Sequence, residues 1–329
     1  MDFHQLRIFL EVARQKSFSR AAENIFLSQP TVSAHIKSLE NEIGTPLFDR
    51  GQRELQLTQA GKILFKYAQE LLDIKEEALL AIQKDYQILQ GHLGIAASSV
   101  PGAYLLPRLL KTFHRKYPQV TFSVLLRDTK QVLESVKEYT YDLGFTGEPG
   151  IKEGLGQVKL VEDELVLISS GETKIQGAKK TDIKEPGLFS LEISECLQMP
   201  FILREPGSAT RKVFEKALQK RFGQNLTLNV IGYFESQEAI KEAVKAGLGV
   251  TVISKKAVEK ELESGLLVGY KIKGLPLKRN FYLVFRKKRI LPPLSQAFLQ
   301  FTLQFFNLEG QREEKNICDY LTSIIKSEK

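Results

Sequence analysis

Residues 19–40 read SRAAENIFLSQPTVSAHIKSLE, and this stretch decides how the N-terminal part of the chain folds. Small and branched apolar residues recur where two short helices crossing through a tight turn would bury their facing sides. These residues are Ala22, Ile25, Leu27, Val32 and Ile36. Ser28 can cap the second helix, and Pro30 suits its first turn. The stretch therefore predicts a helix-turn-helix.

The polar residues of the second helix face away from that apolar side. Hydroxyl and amide side chains at the start of a helix can contact base edges in a major groove, and the helix N-terminus favours phosphate. The candidate DNA-contacting residues on this helix are Ser28, Gln29, Pro30, Thr31, Ser33, His35 and Lys37. An exposed polar face on a small helical subdomain would explain any one of them, but it explains the set poorly. We therefore expect the helix to bind double-stranded operator DNA.

Residues 50–57 are basic and alternate in polarity, which suits a short hairpin better than a helix. Arg50 and Arg53 would allow this hairpin to act as a wing that contacts the DNA backbone or the minor groove. The N-terminal part is thus predicted to be an all-α winged helix-turn-helix, interrupted only by the wing.

Thr58 can cap a long helix that is predicted to run to about Leu89. This helix carries two neighbouring apolar rows. The first row is Leu64, Tyr67, Leu71, Ile74, Ala78 and Ala81, and the second is Phe65, Ala68, Leu72, Leu79, Ile82, Tyr86 and Leu89. One arrangement packs one row on the head and the other on a second subunit. A long core helix within one domain is the alternative, and the pattern alone leaves both open.

Composition limits what the whole chain can be. The 329 residues are 43% hydrophobic and 26% charged, which is ordinary for a soluble protein of two or three domains. The net charge is +8, but residues 1–90 hold 11 lysines and arginines against 12 aspartates and glutamates, so charge does not locate the DNA-binding part. No apolar stretch reaches the ~18 residues of a membrane span, and no export signal is evident at the N-terminus. Cys196 and Cys318 then fit reduced structural thiols, and we expect a cytoplasmic protein without membrane association.

After Gly91 the pattern changes to short apolar runs that alternate with amphipathic segments. This βαβ alternation predicts a largely parallel sheet, and its repetition predicts two α/β lobes. The chain as a whole is thus predicted to be α/β, with a head, a linker helix and a two-lobed effector domain. The predicted divisions are the head at 1–58, the linker helix at 59–90, lobe I at 91–168, lobe II at 169–274, the return to lobe I at 275–308 and a tail at 309–329.

Several blocks of the chain, in this order and spacing, resemble the LysR-type transcriptional regulators. The blocks are FSRAA at 18–22, SQPTVS at 28–33, LE at 39–40, GTPLFDR at 44–50 and LTQAG at 57–61. Ala34 and Phe26 depart from the residue types common in that family, which leaves the base preference open. The resemblance implies a homodimer through the linker helix, commonly doubled to a homotetramer, and a co-inducer domain similar to periplasmic binding proteins. It also implies RNA polymerase as a partner if the chain is an activator.

The ends of the strands supply candidate ligand contacts, since helix N-termini converge there between two α/β lobes. The candidates, from stretches that resemble the co-inducer contacts of the family, are Ser98, Ser99, Thr129, Thr146, Arg204, Ser208, Thr210 and Gln237. Some of the hydroxyls could instead be simple helix caps. Their convergence from both lobes favours a small anionic metabolite as co-inducer. The arrangement is also similar to regulators of sulfur and cysteine metabolism.

Two other classes of protein fit the sequence less well. An enzyme is disfavoured because the chain lacks a GxSxG elbow, a GxxxxGK[ST] loop and an HExxH pair, and its four histidines are scattered. We therefore expect no catalytic residues, no metal and no cofactor. A transport-type binding protein would match the C-terminal two-thirds, but the helix-turn-helix and the missing export signal disfavour it.

Overall fold

The computed structural model describes residues 1–49, 55–82, 89–150, 154–173, 175, 177–180, 187–197, 199–223, 228–287 and 291–308. Its first part is a head of three helices and a two-stranded wing. The head comprises α1 (Phe3–Gln15), α2 (Phe18–Asn24), α3 (Gln29–Ile43), β1 (Phe48–Asp49) and β2 (Gln56–Leu57). The strands β1 and β2 pair antiparallel. Val32 and Ile36 of α3 are fully buried against Phe9 and Ala21 in one apolar core. The predicted winged helix-turn-helix is confirmed.

Helix α4 (Gln59–Ile82) begins where Thr58 accepts a hydrogen bond from the Gly61 N–H at 3.0 Å, as the sequence predicted. One side of α4 packs on the core of the head through Leu64, Phe65, Ala68 and Leu72. A second side, turned away from the core of the head, is exposed by 38–53% at Ile63, Tyr67, Leu71 and Ile74. The two apolar rows are therefore separate faces, but Leu64 belongs to the head side and Ile63 takes its place on the exposed row. The predicted continuation of α4 to Leu89 crosses residues 83–88, which lie outside the described part.

Lobe I is a five-stranded sheet with helices packed on it. Its strands are β3 (Gly91–Ser98), β4 (Val120–Arg127), β5 (Leu143–Thr146), the first part of β6 (Leu155–Ser170) and β13 (Lys278–Arg286). Its helices are a π-helical turn (Pro101–Leu105), α5 (Leu106–Lys116), α6 (Thr129–Lys137) and α11 (Pro293–Phe305). The order is β4-β3-β5-β13-β6, and Phe113, Phe145 and Phe298 form the centre of its core.

Lobe II is built on the second part of β6, which pairs with β11 and β12. Its strands are β7 (Lys179–Lys180), β8 (Leu188–Leu191), β9 (Phe201–Arg204), β10 (Val230–Phe234), β11 (Thr251–Ser254) and β12 (Leu267–Ile272). Its helices are α7 (Ile193–Cys196), α8 (Ala209–Phe222), α9 (Gln237–Lys245), a 3₁₀ turn (Lys255–Ala257) and α10 (Glu259–Glu263). Parallel strands β9 and β10 join this sheet through a bridge between Phe201 and Val250.

The prediction of a largely parallel sheet is wrong in one respect. The strands β3, β4 and β5 are parallel, but β13 pairs antiparallel with both β5 and β6, and β11 and β12 pair antiparallel with β6. The reason is that β6 and β13 carry the chain between the lobes in opposite directions, and an antiparallel pair is the direct way to do so. The sheets are mixed.

The two lobes meet where β6 and β13 cross from one to the other. Residues up to Glu164 pair with β13, whereas Leu165 and the residues after it pair with lobe II. The Leu165 N–H donates to the Leu277 carbonyl at 2.8 Å at this point. The predicted double crossing is therefore present, and a polar cleft lies beside it. The residue numbers of the predicted domain divisions stay a prediction.

A search of the helices in the described residues finds none with the length and apolar character that a membrane span requires.

Candidate functional site

The first candidate site is the N-terminal half of α3. The Ser28 hydroxyl accepts a hydrogen bond from the Thr31 N–H at 3.3 Å and lies 2.7 Å from the Thr31 hydroxyl. One turn on, the Gln29 amide Nε2 donates to Ser33 Oγ at 2.9 Å. Ser28, Gln29, Pro30 and Thr31 are exposed, and Ser33 is half-buried. These groups therefore bond to one another on a surface that is open to DNA.

The remaining head residues differ in how freely they can reach DNA. Lys37 is exposed on the same helix, whereas His35 is half-buried with its ring edge-on to His4 at 5.2 Å between centroids. Arg50 and Arg53 lie outside the described residues, although the strands on either side of them form the base of the wing. The wing arginines stay a prediction.

The second candidate site lies between the lobes, beside the ends of β3, β4 and β9. We call the cavity of about 20 Å³ there, which opens to solvent, the inner cavity. Helices α6 and α8 point their N-termini into this region, each preceded by an extended residue. Six of the predicted residues line it, together with residues that the sequence did not single out. The lining polar residues are Ser98, Ser99, Thr129, Arg204, Ser208 and Thr210, with Asp128, Glu205 and Arg279.

Three buried residues of the inner cavity carry hydroxyl groups without a hydrogen-bond partner among the described residues. They are Ser98, Thr129 and Ser208, whose exposed fractions are 7%, 2% and 6%. The alternative that they cap helices is not supported for α6 and α8. Asp128 caps α6, and Ser208 makes no capping bond to α8. Because these residues line the cavity and their hydroxyls bond to no other described residue, the hydroxyls are available to a ligand there.

The two arginines of the inner cavity are held by carboxylates. Arg204 forms a two-point ion pair with Glu205 at 2.8 and 2.9 Å, and its Nη2 also donates to Ser99 Oγ of lobe I at 3.3 Å. Arg279 Nε donates to Asp163 Oδ2 at 2.9 Å. Burial lowers the pKa of Arg279, and the charge of Asp163 opposes that shift. Because both guanidinium groups are paired, attraction for an anion comes from the helix N-termini and unpaired donors.

A larger cavity of about 440 Å³, the outer cavity, continues from the inner one past Ser99 and Arg204. Gln237 lines it, is 8% exposed, and has no hydrogen-bond partner in the described part of the chain for either amide atom. Across the same cavity, the Tyr104 hydroxyl of lobe I donates to Glu238 of lobe II at 3.0 Å. Burial raises the pKa of Tyr104, so the phenol stays a donor.

The structure places one predicted residue apart from both cavities. Thr146 is fully buried, and its hydroxyl donates to the Glu148 carbonyl at 2.7 Å. The prediction missed Arg279, which lies on the return strand, and Tyr104, which lies in the π-helical turn after β3. The available signal for Arg279 was a cationic residue shortly before the apolar run from Phe281 to Phe285. No group of three or more histidine, cysteine, aspartate and glutamate side chains that could hold a metal is found among the described residues.

A helix-turn-helix head, a long helix and a two-lobed α/β domain with a polar cleft together define a ligand-responsive regulator of transcription. The family models agree with this class. Residues 3–62 match the bacterial regulatory helix-turn-helix protein of the lysR family, and residues 87–307 match the LysR substrate binding domain.

Individual relatives extend the match over nearly the whole chain. A probable RuBisCO transcriptional regulator of Trichormus variabilis is 36% identical, with 92% of this chain and 88% of that protein covered. A full-length variant of OxyR from Pseudomonas aeruginosa shares the fold with a TM-score of 0.70 at 22% identity, covering 92% and 93% of the two chains. The CcmR regulatory domain of Synechocystis PCC6803, in complex with 2-PG, is 25% identical with a TM-score of 0.58, covering 66% of this chain and 98% of that one.

The chain therefore belongs to the LysR family. It is a DNA-binding transcriptional regulator rather than an enzyme, as the sequence predicted. The suggested similarity to the sulfur and cysteine subgroup stays a prediction, since none of the relatives described above carries such a name.

Proposed function

We propose that this regulator changes its operator binding when a small acid enters the inner cavity. The observation that carries the proposal is the convergence of three buried residues with unpartnered hydroxyls, from two lobes, on one cavity at two helix N-termini. A hydroxyl or amide N–H that has no partner inside the protein is stabilised by an oxyanion that accepts from it. The structural relative that holds 2-PG (2-phosphoglycolate), a phosphorylated acid, supports a ligand of this charge.

Removal of two of these hydroxyls tests the ligand assignment. We expect the double variant Ser98→Ala and Thr129→Ala to bind 2-PG about tenfold more weakly by isothermal titration calorimetry, because each lost hydrogen bond contributes about 0.5–1.5 kcal/mol. Thr112→Ala is the matched control, since Thr112 is exposed on α5 and bonds only to its own helix. Equal affinity of the double variant and the control for 2-PG would show that the site is misplaced.

For DNA we propose that α3 reads the operator through Gln29, Thr31 and Ser33, with Ser28, Pro30, His35 and Lys37 around them. Their support is their position on a capped helix, with all but Ser33 and His35 exposed, and the backbone N–H groups at its start suit phosphate. Arg50 and Arg53 are proposed to grip the backbone from the wing. A near-neutral head binds weakly alone, so several heads acting together would supply the affinity.

We further propose that the exposed face of α4 holds two copies of the chain together. Ile63, Tyr67, Leu71 and Ile74 lie on one side of the helix and leave a continuous apolar row in water. A pair of such helices would bury both rows and form a homodimer. We expect two homodimers to associate into a tetramer. If the protein is an activator, we also expect it to contact RNA polymerase.

Charges placed on that row test the dimer. Tyr67→Glu combined with Ile74→Glu should convert the protein to monomers in sedimentation velocity runs, because two buried carboxylates per chain oppose association. Lys62→Glu adds a carboxylate on the same helix away from the row and serves as the control. Dimers of unchanged stability in the double variant would refute this interface.

The route from cleft to head runs through lobe I. Tyr104 and Ser99 of lobe I contact Glu238 and Arg204 of lobe II, so ligand in the cleft bears on both lobes. Lobe I in turn contacts the linker helix, where the Tyr139 hydroxyl donates to Glu70 at 3.3 Å. A ligand that favours one lobe arrangement would therefore shift the angle of α4 and the spacing of the heads.

A further inference from the structure

Arg279 occupies the point where the chain passes between the lobes. It lies one residue inside β13, next to the crossing, and is 7% exposed. Its Nε donates to Asp163 of β6, and its Nη1 donates to the Thr210 hydroxyl of α8 at 2.9 Å. Asp163 also accepts from Ser254 of β11 at 2.6 Å. One guanidinium thus ties both crossing strands to the wall of the inner cavity.

The third nitrogen of this guanidinium is different. Arg279 Nη2 is buried and has no hydrogen-bond partner in the described residues, although Arg279 lines the inner cavity. Asp163 accepts hydrogen bonds from Arg279 Nε and from Ser254, and neither bond involves Nη2. A buried charged donor without an acceptor is costly, and the cost is removed when an anionic oxygen reaches it.

The neighbouring residue on the strand shows what an ordinary ion pair looks like here. Lys278 pairs with Glu162 at 2.8 Å, and both side chains are 56% exposed. The pairs Lys278–Glu162 and Arg279–Asp163 therefore join the same two strands, one in water and one beside the cavity. The remaining N–H groups of Lys278 are open to solvent, whereas Nη2 of Arg279 is buried without a partner among the described residues.

We propose that Arg279 binds the acidic group of the effector through Nη2, and that this contact couples the bound ligand to the strand crossing. The proposal rests on the proposed function of the inner cavity and adds to it a named cationic partner. The hydroxyls of Ser98, Thr129 and Ser208 and the N-termini of α6 and α8 complete the set of donors. Such a site takes the oxygens of a carboxylate or a phosphate group, with the rest of the molecule extending toward Gln237 in the outer cavity.

The experiment measures anion binding by full-length protein with three separate probes, 2-phosphoglycolate, inorganic phosphate and glycolate. The variant Arg279→Lys keeps the positive charge beside Asp163 but replaces the three-nitrogen guanidinium with a single ammonium, so no group equivalent to Nη2 remains. We expect this variant to bind 2-phosphoglycolate about tenfold or more weakly in calorimetry, while Lys278→Gln binds as the wild type does. The probe whose affinity falls most identifies which acidic group Arg279 holds.

Two measurements serve as controls for correct folding: the melting temperature without ligand, and DNA binding. We expect both to stay near the wild-type values in Arg279→Lys. Unchanged affinity of Arg279→Lys for all three probes, together with loss of binding in Thr129→Ala, would overturn the role of Arg279 and leave the proposed function intact. Absence of binding of every probe to the wild type would instead overturn the proposed function.

Discussion

The head and the cleft satisfy their polar groups in opposite ways. On α3 the candidate groups are exposed and bond locally, as Gln29 does to Ser33 four residues away. In the cleft they are buried, and their bonds join residues far apart, as Arg204 does to Ser99 and Arg279 does to Asp163. Several cleft groups still lack partners among the described residues. The described groups at the start of α3 therefore find partners on their own helix, whereas the cleft has donors that no described residue accepts from.

The largest effect is expected for the buried ion pair between Arg279 and Asp163, beside the cleft. Asp163→Ala leaves the Arg279 guanidinium buried without its carboxylate, so the free energy of unfolding should fall by about 3–5 kcal/mol. Urea denaturation followed by circular dichroism measures it. Glu162→Ala removes the carboxylate of the neighbouring exposed pair and should leave the urea midpoint unchanged within error. Equal losses in both variants would mean that burial does not distinguish the two pairs.

The head should show the reverse behaviour, with function lost and stability kept. Gln29→Ala combined with Ser33→Ala should weaken specific operator binding about a hundredfold or more, because each base contact contributes about 1–3 kcal/mol. A gel-shift assay at fixed salt with specific and scrambled DNA checks this. Ser38→Ala, farther along α3, is the control. An unchanged ratio of specific to scrambled affinity would rule out α3 as the reading helix.

A smaller effect is expected at the contact between the lobes. Tyr104→Phe removes the hydroxyl that donates to Glu238 and should weaken 2-PG binding by a factor of about five, the equivalent of about 1 kcal/mol. Calorimetry of Tyr104→Phe beside Tyr117→Phe, a tyrosine of lobe I away from the cleft, makes the comparison. A wild-type affinity in Tyr104→Phe would show that this contact does not favour the ligand-bound arrangement.

The smallest effect is a gain in stability within the head. Phe26 lies in the turn before α3 with a φ of 55° and is 94% exposed. Asparagine tolerates this left-handed conformation better than phenylalanine, so Phe26→Asn should raise the free energy of unfolding by about 0.5–1 kcal/mol. Thermal melts of Phe26→Asn and Phe26→Ala test the cause. Equal stabilisation by alanine would assign the gain to loss of the exposed ring rather than to the backbone.

The head could be predicted from the sequence better than the cleft because the information differs in range. Ser28, Val32 and Ile36 lie within one helix and its cap, so spacing alone indicated their roles. The hydroxyls of Ser98, Thr129 and Ser208 could be found because each lies at the end of a strand or at the start of a helix. Arg279 was missed because its role depends on Asp163, 116 residues earlier.

The antiparallel pairing of β6 could not be predicted for a similar reason. The first part of β6, from Leu155 to Glu164, alternates polar and apolar residues and does not form the continuous apolar run by which a buried strand is recognised. Without such a run, no local pattern indicates that β6 is one long strand shared by both lobes, and a parallel sheet was predicted. Pairing partners are set by the whole fold rather than by local pattern.

The central claim is that an acid in the cleft controls how the heads bind DNA. Its most direct test measures binding of full-length protein to a DNA fragment enriched from a random pool, with and without saturating 2-PG. We expect the operator dissociation constant to change about fivefold or more in the wild type and in Lys278→Gln, and to stay constant in Arg279→Lys. Identical binding curves for the wild type with and without 2-PG, while calorimetry shows the ligand bound, would contradict the claim.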